Sequence, residues 1–206
     1  MGMSMKERLY RFRSFWIFPL IAFVLLFATS RSQPEGSLGH SVWFFPFGLL
    51  LWTLLEYTLH RFAFHIQRPI HNPHLREILN MSHLGHHAAP RDPTRVLVHP
   101  LYGLVISALL YAAIYLTSSN AFSTAVIMAG IWAGFLYYEA VHYRVHFSLS
   151  ASGLIAWQRR GHFYHHFTNN KRCFGVTSPV WDYVFGTRKP SMPAKGPAIS
   201  SERTWS

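Results

Sequence analysis

"YYEAVHYRVH", residues 137–146, is the place where a long apolar run ends in two histidines. The run behind it, from Ala121 to about Val141, has roughly the 20 residues that a helix needs to cross a bilayer. His142 and His146 stand four apart and so share one face of that helix, with Glu139 three residues ahead of His142. The stretch therefore predicts a membrane helix that presents paired imidazoles where it leaves the membrane.

Three further apolar runs precede it, at about 15–30, 41–59 and 96–117, and the last is joined to 121–141 by only "SSN", the connection of a helical hairpin. His99 and Pro100 fall near the start of the third run, where a first helical turn tolerates proline. The predicted fold is all-α: four transmembrane helices with a helical cap on one side. Composition agrees. Half of the 206 residues are apolar and only 13% are charged, low for a soluble domain.

The basic residues set the orientation, because Lys and Arg favour the cytoplasmic side of short loops. Lys6, Arg8, Arg11 and Arg13 precede the first span, and Arg61, Arg68, Arg76, Arg91 and Arg95 follow the second. Nine more follow the fourth, and Arg31 alone falls opposite. Both termini are then cytoplasmic, in the plasma membrane of a bacterium or the endoplasmic reticulum of a eukaryote. This placement explains the net charge of +11 without nucleic acid, and it suits anionic headgroups and acidic protein partners. Residues 1–14 read as a basic cytoplasmic segment, with no small-x-small cleavage site before "SRSQPEG". Residues 15–188 read as the membrane domain and 189–206, rich in proline and small polar residues, as a disordered tail. The lone Cys173 excludes an intrachain disulfide and a Cys-based zinc site.

Ten of the 14 histidines fall into four groups on the cytoplasmic side: His60 and His65 in "EYTLHRFAFH", His83, His86 and His87 in "SHLGHH", His142 and His146, and His162, His165 and His166 in "GHFYHHF". Spacings of three and four aim each group into one volume. His60 and His65, five apart, fit if the helix ends between them or if each serves a different metal. Ten nitrogen donors make four or five for each of two ions, and imidazole suits iron, zinc and copper. Glu56 and Glu139, each one turn ahead of a histidine, are candidates to accept an imidazole's second N–H, with direct ligation or an Arg144 pairing as alternatives. His40, His71, His74 and His99 read as headgroup or packing residues, and Phe44, Phe45, Trp52 and Tyr57 as lipid-facing and belt aromatics, with the floor of a lipid channel as the alternative. A metal transporter would carry polar ligands near the midplane of its spans, and these spans have none.

With "WTLLEYTLHRFAFHI", "SHLGHHAAPRDPTRVLVHP", "YYEAVHYRVH" and "GHFYHHF" followed by "FGVTSPVWDYVFGT", the chain resembles the fatty acid hydroxylase and sterol desaturase superfamily from about Leu50 to Thr187, and most of all its fatty acid 2-hydroxylase branch. The resemblance implies a di-iron centre held by the ten histidines named above, with zinc a possible occupant of isolated protein. It also implies O2 as co-substrate and hydroxylation of a fatty acyl chain, free or in a sphingolipid, next to its carbonyl. Carotenoid hydroxylases and sterol oxidases or desaturases use similar boxes. The chain departs from the branch at Leu79 and Phe147, where acyl hydroxylases often carry further histidines. "HP" at His99 and Pro100 continues with Leu101 and Tyr102 rather than the His-Pro-Gly-Gly of a fused haem domain. With no haem in this chain, electrons are expected from a separate small cytochrome b-type or ferredoxin-like protein with its reductase.

Overall fold

A computed structural model of the chain describes residues 12–31, 41–65, 71–79, 83–149 and 152–189. The basic N-terminus before Phe12, His40 and the expected disordered tail beyond Lys189 lie outside the described residues. All regular structure among the described residues is helical: α1 (Ser14–Ser30), α2 (Phe44–Thr58), α3 (Pro73–Leu79), α4 (Gly85–Ala88), α5 (Pro100–Ser118), α6 (Ala121–Phe147), α7 (Gly153–Phe167) and α8 (Val180–Val184). A π-helical turn, Leu59–Phe64, continues α2 without a break.

Two of the four expected spans, α5 and α6, are long and apolar enough to cross a membrane by themselves. α1 is apolar but 17 residues long, and the regular part of α2 has 15. α5 starts at Pro100, about four residues later than the apolar run; Pro100 occupies the first turn as anticipated, and His99, read as a headgroup or packing residue, is the N-cap, its Nδ1 accepting from the Leu101 N–H. Asn120 caps α6, its side-chain oxygen accepting from the Ser123 N–H at 2.8 Å.

α6 is the central element, with Met128, Ile131, Trp132, Phe135, Tyr138 and Val141 among its buried residues. α2 crosses it in backbone contact. A Cβ on Gly48 would overlap the Ile127 carbonyl oxygen, and one on Gly130 would overlap that of Phe45, so the absence of side chains at both positions is what lets the helices meet. Large apolar side chains point outward from α1 (Leu20, Phe23, Phe27), α2 (Phe44, Phe47, Leu50) and α5 (Leu101, Leu109, Leu116). Trp52 and Tyr57 do not join this outer face. Trp52 packs on Phe135 with centroids 5.4 Å apart, and Tyr57 is buried with its hydroxyl 3.0 Å from Thr187 Oγ1. The outward reading thus fits Phe44 and Phe45 alone: Trp52 packs inward on α6, and Tyr57 packs on Phe174, Phe185 and Thr187 of the C-terminal segment.

Beyond the long helices, α7 is held against the C-terminus of α6 by Arg159. Its guanidinium donates to the carbonyls of Val145, Arg144 and Ser148, taking up acceptors that the end of a helix leaves free.

Candidate metal centre

The ten histidines meet as two groups of five: His60, His65, His83, His87 and His165 in one, and His86, His142, His146, His162 and His166 in the other. Within each group the nearest ring nitrogens all lie within 4.8 Å of one another. The division cuts across two of the sequence groups. His83 and His87 go to the first centre while His86, between them, goes to the second. His162 and His166 go to the second while His165 goes to the first. Helical geometry explains the correction to the expectation of one volume per group: residues four apart differ by about 40° around the axis, whereas the histidine three residues after the first in H-x-x-H-H lies about 60° to the other side.

The His60 and His65 pair follows the first of the two expected alternatives: the helix ends between them, at Phe64, with His65 as its non-helical C-cap (φ −105°, ψ 54°), and both serve the same centre. The turn that carries them there is π-helical, which the spacing did not suggest. The His65 N–H donates to the His60 carbonyl at 3.2 Å, so residues five apart come to lie on one face.

Neighbouring Nε2 atoms stand at the spacing of adjacent ligands on one ion. His83 and His65 are 3.1 Å apart, His87 and His83 2.9 Å, and His165 and His65 2.9 Å. In the second centre His86 and His146 are 3.1 Å apart, His142 and His86 3.1 Å, and His146 and His162 2.8 Å. For a metal–nitrogen distance of about 2.1 Å, ligands at right angles are about 3.0 Å apart. The donor set therefore fits five imidazoles around each of two ions.

Tautomers support the same reading. The His60 Nδ1 donates to the Phe174 carbonyl at 2.5 Å and the His165 Nδ1 to the Arg172 carbonyl at 2.8 Å. Each proton is thereby fixed on Nδ1, and the Nε2 lone pair is turned into the centre. Lone pairs converging at 2.9 Å repel unless a cation lies between them. Burial and the neighbouring imidazoles hold His83 and His162 well below the ordinary 6.5, and burial lowers His65 and His86 to about 4. These rings are neutral, ligand-ready donors at neutral pH.

Glu56 and Glu139 do different work from that expected, since neither reaches an imidazole. Glu56 accepts from the backbone N–H of Val176 at 2.6 Å and of Thr177 at 2.9 Å, and from the Thr177 hydroxyl. Glu139 accepts from the Val98 N–H at 3.1 Å. A carboxylate beside a chain segment with unpaired N–H groups satisfies them, and these segments pass closer than the rings. No bond to Arg144 is formed by either acid among the described residues.

Residues 174–187, quoted above only for the resemblance, serve the centre directly. Asp182, buried, accepts from the N–H groups of Phe174 (2.9 Å) and Gly175 (2.8 Å) and from the Thr187 hydroxyl (2.7 Å). Cys173 lies between the two carbonyls that orient His165 and His60 and takes a left-handed backbone, φ 59°. The only sequence signal was the clustering of Gly175, Ser178, Pro179 and Gly186 around one acid. Pro179 is the N-cap of α8.

An apolar cavity of about 730 Å³ opens onto both groups. His60 and His83 of the first and His86 and His142 of the second line it, together with Trp52, Phe135 and Tyr138. His99 lines it too, beside its capping role, while His71 and His74 are exposed and belong to neither group.

Two pentahistidine groups that could each hold a metal ion, beside an apolar cavity in a chain whose described residues form only helices, make up the framework of a histidine-rich membrane hydroxylase. The family model described as fatty acid hydroxylase matches residues 45–187, and the chain is a member of that family. It is 34% identical over 172 residues to dihydroceramide fatty acyl 2-hydroxylase FAH2 of Arabidopsis thaliana, covering 84% of this chain and 70% of that one. It is 34% identical over 147 residues to fatty acid 2-hydroxylase of Rattus norvegicus, covering 71% of this chain and 39% of that one. Among solved structures it is similar to full-length scs7p, of which only the hydroxylase domain is visible, with a TM-score of 0.74 and 26% identity over 85% of this chain and 66% of that one.

Proposed function

We propose that this chain hydroxylates the acyl chain of a membrane lipid at the carbon next to the carbonyl, free or within a sphingolipid, using O2 and two iron ions. One ion is held by His60, His65, His83, His87 and His165 and the other by His86, His142, His146, His162 and His166. The observation that carries this reading is the apolar cavity in contact with both histidine groups, which would hold an acyl chain beside the metals. Relatives named as fatty acid and dihydroceramide fatty acyl 2-hydroxylases favour the 2-position over carotenoid or sterol chemistry.

When bound, the iron ions supply O2 activation and the oxidising power that an unactivated C–H requires. The protein's own groups orient and exclude. The carbonyls of Phe174 and Arg172 fix two donors. Glu56 ties the 176–177 backbone to α2, and Glu139 ties Val98, in the cavity wall, to α6. The rings of Trp52, Phe135 and Tyr138 keep water from the chain. Arg13, Arg95 and His99, which also line the cavity, suit the polar head of the lipid. Converting one C–H and one O2 into C–OH and water takes two electrons and two protons. A separate cytochrome b-type or ferredoxin-like donor with its reductase would deliver the electrons.

Four spans with both termini on the cytoplasmic side complete the reading. It is supported by the outward apolar faces of α1, α2 and α5 and by the distribution of Lys and Arg. The test is expression, with a competent electron donor, in a host that lacks 2-hydroxy lipids, followed by lipid mass spectrometry. Acyl species that gain one oxygen atom at C2 support the proposal; their absence from a metal-loaded protein refutes it.

A further inference from the structure

We propose that Trp132 and Leu110 form the floor of the acyl cavity and set the longest chain the protein accepts, at about a dozen carbons beyond the metals. The inference rests on the acyl-lipid reading above and adds a length limit to it. α6 lines the cavity from His142 down to Trp132 and Ile131, and α5, running alongside, from Pro100 to Leu110. Ten residues of helix on either wall span about 15 Å. An extended acyl chain advances about 1.3 Å per carbon, a value that follows from the C–C bond length, so about twelve carbons fill that depth.

Below this level the α6 wall passes into the core. On α6 the next turn inward, Ile127 and Met128, is buried in the hydrophobic core and does not line the cavity. Trp132 is held across the bottom by its indole N–H, which donates to Ser107 Oγ on α5 at 2.8 Å. Such a bond fixes the ring's orientation and makes the floor rigid. Partway down, the buried Phe18 ring of α1 packs edge-on against Phe135 at 5.2 Å and lies 5.9 Å from the Trp132 ring. A Cβ on Gly103 would meet Phe18 Cζ at 2.9 Å, so a side chain there must displace that ring.

The experiment compares wild type with Trp132→Leu, Leu110→Ala and Gly103→Ala, each checked for wild-type metal content. The chain lengths of 2-hydroxylated products are read by mass spectrometry. Lowering the floor by about one helical turn, 5.4 Å, corresponds to about four carbons. The expected result is a longest abundant product about four carbons longer in Trp132→Leu, a smaller shift the same way in Leu110→Ala, and a shorter limit in Gly103→Ala. If Trp132→Leu fails to fold, Leu110→Ala still reads the floor. An unchanged length distribution in metal-replete Leu110→Ala and Trp132→Leu overturns the proposal.

A binding series separates this inference from the catalytic one. Saturated fatty acids of increasing length are added to purified metal-loaded protein, and the thermal midpoint is measured. A plateau near the floor length that moves to longer chains in Leu110→Ala supports the floor even if wild type yields no 2-hydroxy product. Stabilisation that keeps rising with chain length in wild type overturns the floor whatever the reaction.

Discussion

The backbone N–H of His65 donates to the carbonyl of His60, five residues back, at 3.2 Å. This single π-type bond brings two ligands of one centre onto one face at the end of α2. An α-helical register would turn His65 about 140° away from His60. Deleting Ala63, which lies within the turn, should restore an α register with the two histidines four apart, about 40° from each other, and so keep both rings on the centre. Metal in purified protein should stay at two ions per chain, whereas inserting one alanine after Ala63, which sets them six apart and about 120° from each other, should lower it to about one. Elemental analysis reads the difference.

Cys173 adopts φ 59° between the carbonyls that hold His165 and His60. Left-handed backbone suits glycine and penalises β-branched residues. Cys173→Gly should therefore keep metal content and thermal stability near wild type, whereas Cys173→Val should lower stability by about 1–3 kcal/mol. The pair checks whether the conformation, rather than the thiol, is what the position contributes.

Glu56 gathers two backbone N–H groups and one hydroxyl from the segment that bears the Phe174 carbonyl. Truncation to alanine strands buried donors, at a cost of about 1–3 kcal/mol each when unsatisfied. Glu56→Ala should lower the unfolding midpoint and speed metal loss to a chelator. Glu56→Gln, which keeps one acceptor oxygen, should fall between the two.

Acid should destabilise metal-free protein. His65 and His86 titrate at about 4 when folded, against an ordinary 6.5, because burial disfavours the imidazolium. Between these values the unfolded chain binds more protons than the folded one, so stability rises with pH across that window and is lost as pH falls from about 6.5 through 4. Metal-loaded protein should hold its midpoint to lower pH than metal-free protein, because ligation also excludes the proton. Thermal unfolding of both forms across this range checks the sign.

The ten candidate ligands were legible in the sequence because imidazole pairs three and four apart, at the ends of apolar runs, have few other uses. Their division between centres was not. Sequence spacing assigns residues to a helix face, but one face here borders two centres, and the sharing of His86 and His165 across them depends on how α4 and α7 are set against α2 and α6. The π-helical turn was hidden as well, since nothing in "LHRFAF" distinguishes it from an α-helix. The roles of Glu56, Glu139 and Asp182 depend on segments more than 100, about 40 and five to eight residues away respectively, and only folding brings the first two pairs together. The helical architecture followed from the apolar runs, whose lengths are a direct consequence of the solvent they face.

The most direct test of two pentahistidine centres is the metal content of three purified proteins: wild type, His83→Ala/His87→Ala, and His86→Ala/His142→Ala. Two ions per chain in wild type and about one in each double variant, with the remaining ion retained against dialysis, is the predicted result. One ion or none in wild type, or two ions retained in either variant, would contradict the division of the ten histidines.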